Sequence, residues 1–455
     1  MTADAFFKNI RGKRVTVCGI GINNTPVIRQ FLAAGAQVTA CDKRTGEQLG
    51  EVAEELTAAG AQLKLGEGYQ EDLSGDLILR TPGMKPYLPE FEAARAKGIT
   101  VTSEMELFFS LCPAPIYAVT GSDGKTTTTT IIARLLERAG KKVWLGGNIG
   151  RALLPFITQV KPEDVVVAEL SSFQLTNMTQ SPHVAVVTNL APNHLDWHRD
   201  MQEYIDAKRN LVIWQKPGDR AVLNRDNPIT REFSEGLSST VYSFSRKEQV
   251  ENGADLREGM LCAVENGTAT PVVAAKDIRI PGLHNVENYL AAIAAVWGEV
   301  DAGIIAAFAK EFGGVEHRCE WVRTLDGVKW YNDSIGSSPS RTVAGLKAFD
   351  RKVILIAGGY DKHIPYEPLG KAAADTVKAA VLLGATADKI EAAIRQYSDL
   401  PIRRAADMAE AVAAAREMAE EGDIVFLSPA CASFDMYKNF EERGRHFKRL
   451  VEELN

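Results

Sequence analysis

The sequence IYAVTGSDGKTTTTTIIARLLERAG, residues 116–140, is the most informative segment of this chain. Its β-branched start, Ile116–Thr120, predicts a buried strand, and the stretch after the glycines predicts an amphipathic helix that ends at Gly140. Between the two lies TGSDG, where backbone N–H groups and a helix N-terminus can surround phosphate oxygens. A strand, a glycine-rich turn and a helix in this order predict a phosphate-binding unit of an α/β protein.

The side chains that follow the turn have the chemistry of a nucleotide site. Lys125 is expected to reach the β and γ phosphates, and Thr126 offers a hydroxyl to Mg2+. The loop is shorter than the strict GxxxxGK[ST] pattern, because Val119 stands where the first glycine of that pattern would be. The alternative interpretation is a plain glycine turn with an exposed lysine.

Acidic and imidazole groups follow the next two predicted strands. VVVAEL ends its strand near Glu169, and VAVVTNL leads to His194, Asp196 and His198. Because ligands bind at the carboxyl ends of parallel strands in open sheets, we expect the phosphate loop, Glu169 and His194 to line one crevice. Alternatively, Glu169 is an edge carboxylate with a structural partner, and a single histidine is often structural.

Short β-branched stretches alternate with alanine- and leucine-rich helical stretches along the whole chain, which predicts the α/β fold class with parallel sheets. Three domains are expected: a Rossmann-like N-terminal domain at 1–103, a central P-loop ATPase-like domain at 104–314, and a C-terminal Rossmann-like domain at 315–455. The strands predicted outside the central domain are Arg14–Cys18, Gln37–Cys41, Val353–Ala357, Ala380–Leu383 and Ile424–Leu427.

Composition excludes several classes of protein. The 52 Lys and Arg against 59 Asp and Glu give a net charge of -7, so the broad basic surface of a dedicated nucleic-acid binder is absent. Six scattered cysteines predict unpaired thiols in a reducing compartment. The N-terminus does not have the pattern of a signal peptide, and the apolar stretch 289–309 is expected to form two helices broken at Gly298, not a membrane span. We therefore expect a cytoplasmic protein without a membrane partner.

The first motif, GIGINN, begins at Gly19 and is followed by Asp42, an arrangement like a dinucleotide fingerprint. Asn24 occupies the third glycine position, where glycine permits close helix–strand packing. This departure weakens the interpretation as an NAD-dependent oxidoreductase, which also leaves the phosphate loop without a role.

Taken together, the motifs resemble the Mur ligase family over essentially the whole chain, and the C-terminal ones resemble its D-glutamate-adding members. They are, in order, TGSDGKTT (120–127), GGNIG (146–150), ELSSFQL (169–175), NLAPNHLDWH (189–198), YIDAKRN, GLHNVEN, EHRCE, YNDS, GGYDK and LSPACASFDMYKNFEERG.

The resemblance implies ATP-driven amide formation between UDP-N-acetylmuramoyl-L-alanine and D-glutamate in peptidoglycan precursor synthesis. The substrate carboxylate attacks the γ-phosphate, and the amine then attacks the acyl phosphate. The implied cofactors are ATP, two Mg2+ ions and a CO2-derived carbamate on Lys208. Neither nucleic acid nor membrane is implied as a partner, and the chain is expected to be a monomer.

The resemblance also implies roles for individual residues. For catalysis these are Lys125, Glu169, His194 and Lys208, with Thr126, Glu169, His194 and carbamylated Lys208 as metal ligands. For ATP they are Gly121, Ser122, Asp123, Gly124, Lys125, Thr126, Thr127, Asn285, Asn288, Arg318 and Asp333. For the UDP substrate they are Ile22, Asn23, Asp42, Lys43, Arg44, Gly83, Asn148 and His194, and for D-glutamate Lys362, Ser433 and Phe440.

One position departs from the family pattern. Where many members have a lysine after the NDS motif, this chain has Ile335, followed by Ser337 and Ser338. The missing cation leaves the details of the amino-acid pocket open. The remaining alternatives are another Mur or folylpolyglutamate-type ligase and a non-enzymatic ATP-gated regulatory protein.

Overall fold

The computed structural model describes residues 1–455 and contains three sheets, each flanked by helices. The first sheet has five parallel strands in the order β3-β2-β1-β4-β5. Its elements are α1 Ala3–Ile10, β1 Arg14–Cys18, α2 Asn24–Ala33, β2 Gln37–Asp42, α3 Gly46–Leu49, α4 Glu51–Ala58, β3 Gln62–Leu65, β4 Leu77–Arg80, α5 Pro89–Ala96, β5 Thr100–Ser103 and α6 Glu104–Leu111.

The second sheet has nine strands in the order β14-β13-β12-β11-β10-β9-β6-β8-β7. The elements are β6 Ile116–Thr120, α7 Lys125–Arg138, β7 Val143–Gly147, a 3-10 helix Leu154–Gln159, β8 Val165–Glu169, α8 Ser172–Leu175, β9 Val184–Val187, α9 Met201–Ile213, β10 Arg220–Asn224, α10 Pro228–Glu232, β11 Thr240–Ser245, β12 Gly253–Arg257, β13 Met260–Glu265 and β14 Thr268–Ala274. β6 pairs in parallel with both β8 and β9. The loops after these three strands therefore leave the same edge of the sheet.

Two helices follow, α11 Leu283–Val296 and α12 Ala302–Glu311, with Gly298 between them. The predicted break is confirmed, and none of the helices combines the length and the apolar character that crossing a bilayer requires.

The third sheet has six strands in the order β15-β16-β20-β17-β18-β19, and the only antiparallel pair among its neighbouring strands is β15–β16. Its elements are β15 Glu320–Leu325, β16 Val328–Asn332, α13 Pro339–Leu346, β17 Val353–Ala357, α14 Glu367–Thr376, β18 Val377–Leu383, α15 Ala387–Arg395, β19 Ile402–Ala405, α16 Met408–Met418, β20 Ile424–Leu427 and α17 Phe440–Glu453.

The chain forms two compact units, residues 1–273 with 287–306, and residues 274–286 with 307–455. The first unit contains the first two sheets, which share one apolar core that includes Phe31, Phe108 and Leu154. The division into three domains at 103 and 314 stays a prediction. The α/β class is confirmed, and all six cysteines are unpaired, as predicted.

Candidate active site

The loop between β6 and α7 needs its two glycines. Gly121 has φ of 148°, and a Cβ there would lie 1.9 Å from Thr188 Oγ1. Gly124 has φ of 78°, and a Cβ there would lie 2.4 Å from Asn288 Oδ1. A side chain at either position would therefore combine backbone strain with a collision. The loop can approach the end of β9 and helix α11 only because these positions carry no side chain.

Residues at the end of β9 fix the conformation of this loop. Ser122 N donates to Asn189 O at 2.8 Å, and Asp123 N donates to Asn189 Oδ1 at 2.9 Å. Thr188 Oγ1 donates to the Asp123 carbonyl at 2.6 Å. Sequence reasoning assigned no role to Thr188 or Asn189, although Asn189 opens the motif NLAPNHLDWH. The turn is thus shaped by a neighbouring strand as well as by its own glycines.

Lys125 and Tyr204 complete the surroundings of the loop. The Lys125 ammonium donates to the carbonyls of Gly121 at 3.0 Å and Ser122 at 2.9 Å. The Ser122 hydroxyl and the Tyr204 hydroxyl are 2.8 Å apart. Tyr204 was missed from the sequence, although its position four residues before Lys208 on α9 puts both on one helix face.

The structure brings together Thr126 and Glu169, the two residues that the resemblance implied for one metal ion, and places Asn148, which was expected to bind the UDP substrate, on the same carboxylate. Thr126 Oγ1 donates to Glu169 Oε2 at 2.7 Å, and Asn148 Nδ2 donates to Glu169 Oε1 at 2.7 Å. Glu169 is the last residue of β8, and its side chain is buried. A hydroxyl and a carboxylate are hard oxygen donors, and Mg2+ is commonly held by one or two such groups together with phosphates and water. The donor set therefore fits Mg2+.

Lys208 lies beneath the phosphate loop with its amine buried. It is only 2% exposed, and its Nζ donates to Thr120 Oγ1 at 3.1 Å and to the Gly121 carbonyl at 2.9 Å. Burial lowers the pKa of Lys208 well below its usual value, and the positive charge of Lys125 adds to this effect. A lysine in this position is not an ordinary solvated helix residue.

His194 occupies an unusual backbone position at the same sheet edge. Its φ is 55°, and its ring meets the edge of Phe173 at a centroid distance of 4.9 Å. Partial desolvation lowers the pKa of His194, and the charges of Lys125 and Lys208 lower it further. His198, by contrast, is buried and pairs with Ser172 Oγ at 2.9 Å, so it has a structural role.

Helix α11 carries two predicted nucleotide residues. Asn288 Oδ1 accepts from Thr128 Oγ1 at 3.2 Å, which joins α11 to the helix that follows the phosphate loop. Asn285 Nδ2 donates to Pro281 O at 2.6 Å. Thr127 lies in the first turn of α7 and is partly exposed.

The residues predicted for the UDP end of the substrate follow the strands of the first sheet. Asp42 ends β2 and accepts from Ile20 N at 2.7 Å and from the Arg44 guanidinium at 2.9 Å. These hydrogen bonds and the charge of Arg44 lower the pKa of Asp42 against the opposing effect of burial, which is the largest single contribution. Ile22 is 86% exposed. The others in this group are Asn23 at the start of α2, exposed Lys43, and Gly83, whose carbonyl accepts from Trp197.

In the second unit, Asp333 lies buried at the end of β16. Its carboxylate accepts from Ser428 Oγ at 2.7 Å and from Cys319 N at 3.1 Å, and burial raises the pKa of Asp333 to about 6. Each oxygen of Asp333 thus already accepts one hydrogen bond within the protein, which the sequence did not indicate. Arg318 is exposed, and the backbone N–H of Ile335 donates to His317 O at 3.2 Å.

The residues predicted for D-glutamate lie near the carboxyl ends of the third sheet. Lys362 Nζ donates to the Ser337 carbonyl at 3.2 Å, Ser433 is buried, and Phe440 begins α17. A residue missed from the sequence, Arg443, joins these segments by donating to Ser334 Oγ at 3.0 Å and to the Ala432 carbonyl at 3.1 Å. Arg443 lies four residues before buried Phe447 on α17. This spacing places it on the apolar face of the helix and could have indicated a buried arginine from the sequence.

Comparison with known proteins identifies the family of the chain. Residues 119–296 match the model of the Mur ligase middle domain, and residues 317–431 match that of the Mur ligase glutamate ligase domain. The UDP-N-acetylmuramoylalanine–D-glutamate ligase of Acetivibrio thermocellus is 53% identical over 457 residues, which cover 99% of this chain and 98% of that protein. The chain belongs to the Mur ligase family. The resemblance stated from the motifs is therefore confirmed.

Two further comparisons also cover nearly the whole chain. The equally named ligase of Clostridium novyi strain NT is 50% identical over 459 residues, covering 100% of this chain and 99% of that protein. The solved UDP-N-acetylmuramate–alanine ligase of Thermotoga maritima has a TM-score of 0.57 at 18% identity and covers 97% of this chain and 99% of that one, which shows a shared fold. This Mur ligase is thus a carbon–nitrogen ligase, and the oxidoreductase and regulatory-protein alternatives are not favoured.

Proposed function

We propose that this Mur ligase adds D-glutamate to UDP-N-acetylmuramoyl-L-alanine, with conversion of ATP to ADP and phosphate, in peptidoglycan precursor synthesis. The observation that carries the proposal is the convergence of Lys125, Thr126, Glu169 and buried Lys208 around one glycine-rich loop. Relatives about half identical over the full length, named for D-glutamate ligation, support this choice of acceptor.

The reaction proceeds in two steps. An oxygen of the L-alanyl carboxylate attacks the γ-phosphorus of ATP, and the bond to the β-γ bridging oxygen breaks as ADP leaves. The amine of D-glutamate then attacks the carbonyl carbon of the acyl phosphate, inorganic phosphate leaves, and the nitrogen loses a proton. No protein nucleophile is needed, so the enzyme acts by positioning its substrates and neutralising charge.

Lys125 and the loop amides bind the phosphates. In the first step negative charge moves toward the ADP oxygens, and an ammonium at the start of α7 stabilises that charge together with the helix N-terminus. The further residues assigned to ATP in this proposal are Asn285, Asn288, Arg318 and Asp333. The rotation of Lys125 from the loop carbonyls to the phosphates is the change that ATP binding requires.

Thr126 and Glu169 hold one Mg2+ ion in this proposal, and His194 together with Lys208 as its carbamate holds a second. The metal supplies neutralisation of phosphate charge when it is bound. An ammonium cannot be a metal ligand, whereas a carbamate presents two oxygens. Buried Lys208, with a carbonyl and a hydroxyl as its partners, belongs to a protected environment in which such an adduct can persist.

The substrate ends are assigned mainly to segments of the first and third sheets. The segments of Asp42 and Gly83 bind the UDP end, with Ile22, Asn23, Lys43, Arg44 and Asn148 as further contacts, and Lys362, Ser433 and Phe440 bind D-glutamate. The ligase acts as a monomer in the cytoplasm in this proposal. Its domains are those at 1–103, 104–314 and 315–455, one for each substrate.

The proposal is tested by phosphate release from purified protein with ATP, Mg2+ and UDP-N-acetylmuramoyl-L-alanine. Separate reactions contain D-glutamate, L-glutamate, L-lysine or glycine, and a further control omits the UDP substrate. We expect phosphate release only in the reaction that contains D-glutamate. Equal release with another amino acid, or release that does not need the UDP substrate, contradicts the proposed acceptor or donor.

The carbamate has its own test, which does not depend on turnover. Protein equilibrated with 13C-labelled bicarbonate should show a carbamate carbon resonance that is absent in Lys208→Arg, and intact wild-type protein measured under gentle conditions should contain a fraction heavier by the mass of CO2. An active wild-type protein without either signal contradicts the role assigned to Lys208.

A further inference from the structure

Trp197 connects two loops that come from different sheets of the first compact unit. Its indole Nε1 donates to the Gly83 carbonyl at 2.9 Å. Gly83 lies in the turn after β4, and Trp197 lies in the segment after β9 that also carries His194. This hydrogen bond links the loop proposed for the UDP end of the substrate to the loop proposed for its reacting end.

The indole of Trp197 packs beside aromatic rings from segments that follow strands of the central sheet. Its ring lies 4.6 Å from that of Phe173, centroid to centroid, and Phe173 in turn meets His194 at 4.9 Å. Trp197 N also donates to the His194 carbonyl at 3.1 Å. Phe173 belongs to α8, which begins three residues after Glu169, so the support extends to the strand that carries the metal-binding carboxylate.

The loop of Gly83 is anchored to its own sheet by two further hydrogen bonds. The Met84 carbonyl accepts from the buried Arg80 guanidinium at 3.3 Å, and Thr81 N donates to the Cys18 carbonyl at 2.9 Å. Lys85 Nζ lies 5.8 Å from the Trp197 ring centroid, so a cation accompanies the indole beside this loop. Further along the same loop, the Arg199 guanidinium lies 5.3 Å from the ring centroid of Tyr87. Trp197 therefore supplies the hydrogen bond to the Gly83 carbonyl, and Tyr87 adds a second contact between the same two segments.

We infer that Trp197 is a positioning residue for the UDP substrate, acting through the Gly83 carbonyl. A substrate that binds by its UDP end in one loop and reacts at its other end near His194 needs these loops at a fixed separation, since small misplacements of reacting groups are costly. The inference rests on the proposed function for the identity of the substrate. Tryptophan is suited to this role because it combines a stacking surface with one N–H donor.

The test compares Trp197→Phe with Trp214→Phe, which changes an exposed tryptophan at the end of α9. Phenylalanine keeps an aromatic ring that can pack against Phe173 and removes the N–H donor, although it is smaller than the indole. We expect the Kd for UDP alone, measured by calorimetry, and the KM for the UDP substrate to rise about three- to tenfold in W197F, the range that one lost neutral hydrogen bond produces. The KM for ATP should keep its wild-type value, and W214F should match wild type throughout.

The inference would be overturned if the KM for ATP rose together with the KM for the UDP substrate in W197F. It would also be overturned if W197F bound UDP with the wild-type Kd. Hydrogen exchange on the wild-type protein gives a second measurement if W197F is insoluble: UDP should protect both 81–84 and 194–198, whereas protection of 81–84 alone contradicts the link. Failure of the proposed function is distinct, because it appears as wild-type protein that binds UDP but releases no D-glutamate-dependent phosphate.

Discussion

Lys125 shows how much one side chain contributes to this site. Its ammonium is bound to two loop carbonyls and lies at the N-terminus of α7, where the phosphates are expected. We predict that Lys125→Ala lowers kcat by about two to three orders of magnitude, because a charge-assisted contact made in the transition state is worth several kcal/mol.

The measurement is D-glutamate-dependent phosphate release at saturating substrates, with thermal unfolding as a check on folding. Lys161→Ala, at an exposed position after the 3-10 helix, is the matched control and should keep wild-type turnover. A K125A protein that retains most of its kcat contradicts the assigned role.

Gly124 and Gly140 flank the same helix and separate two effects of a side chain. Both have positive φ, 78° and 84°, but a Cβ at Gly140 meets nothing within 4 Å, whereas one at Gly124 meets Asn288 Oδ1 at 2.4 Å. We predict that G124A and G140A share a loss of stability of about 1 kcal/mol from the backbone. Only G124A should also lose ATP binding, because Asn288 and the loop must shift.

Urea unfolding and calorimetric titration with ATP distinguish these outcomes. Equal ATP affinities for the two variants would show that the approach of Asn288 to the loop has no functional consequence.

The residues of the site were predictable where a motif states the chemistry and were missed where the role is support. Lys125, Thr126 and Glu169 follow strands in patterns that phosphate and metal binding require. Thr188 and Asn189 act through atoms that fix a loop 65 or more residues away in sequence, a relation visible only after β9 pairs with β6. Nothing in the pattern around Asp333 indicates that its two oxygens accept bonds from Ser428 and Cys319.

Strands and helices were predicted most reliably where they are buried. β1, β6, β17 and β20 lie at their predicted residues, since continuous β-branched stretches are typical of parallel strands covered on both faces. The pairing order was not predictable in detail, because β6 contacts β8 and β9 by crossover connections. The antiparallel pair β12–β13 is another feature that the sequence reasoning did not anticipate.

Helix α6 leads from the first sheet to the second and begins with a buried acid. Glu104 Oε1 accepts from Leu153 N at 3.0 Å and Leu154 N at 2.8 Å, where the 3-10 helix starts. Burial raises the pKa of Glu104 to about 7, although the two backbone hydrogen bonds oppose the shift. The contact between the start of α6 and the start of the 3-10 helix therefore depends on a carboxyl group whose pKa is near neutral.

The direction of the pH effect follows from this raised pKa. Between about 4.5 and about 7 the folded protein keeps a proton on Glu104 that the unfolded chain has lost, so the free energy of unfolding falls as the pH rises through this range. We predict that the free energy of unfolding of Glu104→Gln lacks this fall, which is on the order of 3 kcal/mol in the wild type. Glutamine keeps an acceptor oxygen but carries no charge.

Urea unfolding of wild type, E104Q and the exposed control E54Q at pH 5 and pH 8 measures the effect. E104Q should gain stability relative to wild type at pH 8 and lose this advantage at pH 5. A parallel pH dependence of wild type and E104Q contradicts the prediction.

The molecule as a whole carries a net charge of -7 and yet is proposed to bind strongly anionic substrates. In that proposal, attraction comes from local groups: the N-terminus of α7, Lys125, and the Mg2+ ion assigned to Thr126 and Glu169. Composition argued against a broad basic surface but said nothing of these groups, because charge balance averages over positions. The motifs occur along the chain in the order of the three sheets, and each group of motifs follows strands of one sheet. The family relationship agrees with this order.

The proposed Mg2+ site predicts that ATP binding depends on the metal, which can be measured through stability. A ligand that binds only the folded protein raises the free energy of unfolding by about 2.7 kcal/mol at 100 times its Kd. We predict an increase of this size with ATP and Mg2+ together, and a much smaller one when EDTA removes the metal. In Glu169→Gln, which removes the charge and keeps one of the two acceptor oxygens, the increase with Mg2+ should shrink toward the EDTA value. Equal stabilisation of wild type by ATP with and without Mg2+ would show that the protein's own cations suffice and that the Thr126–Glu169 pair does not hold a metal with the nucleotide.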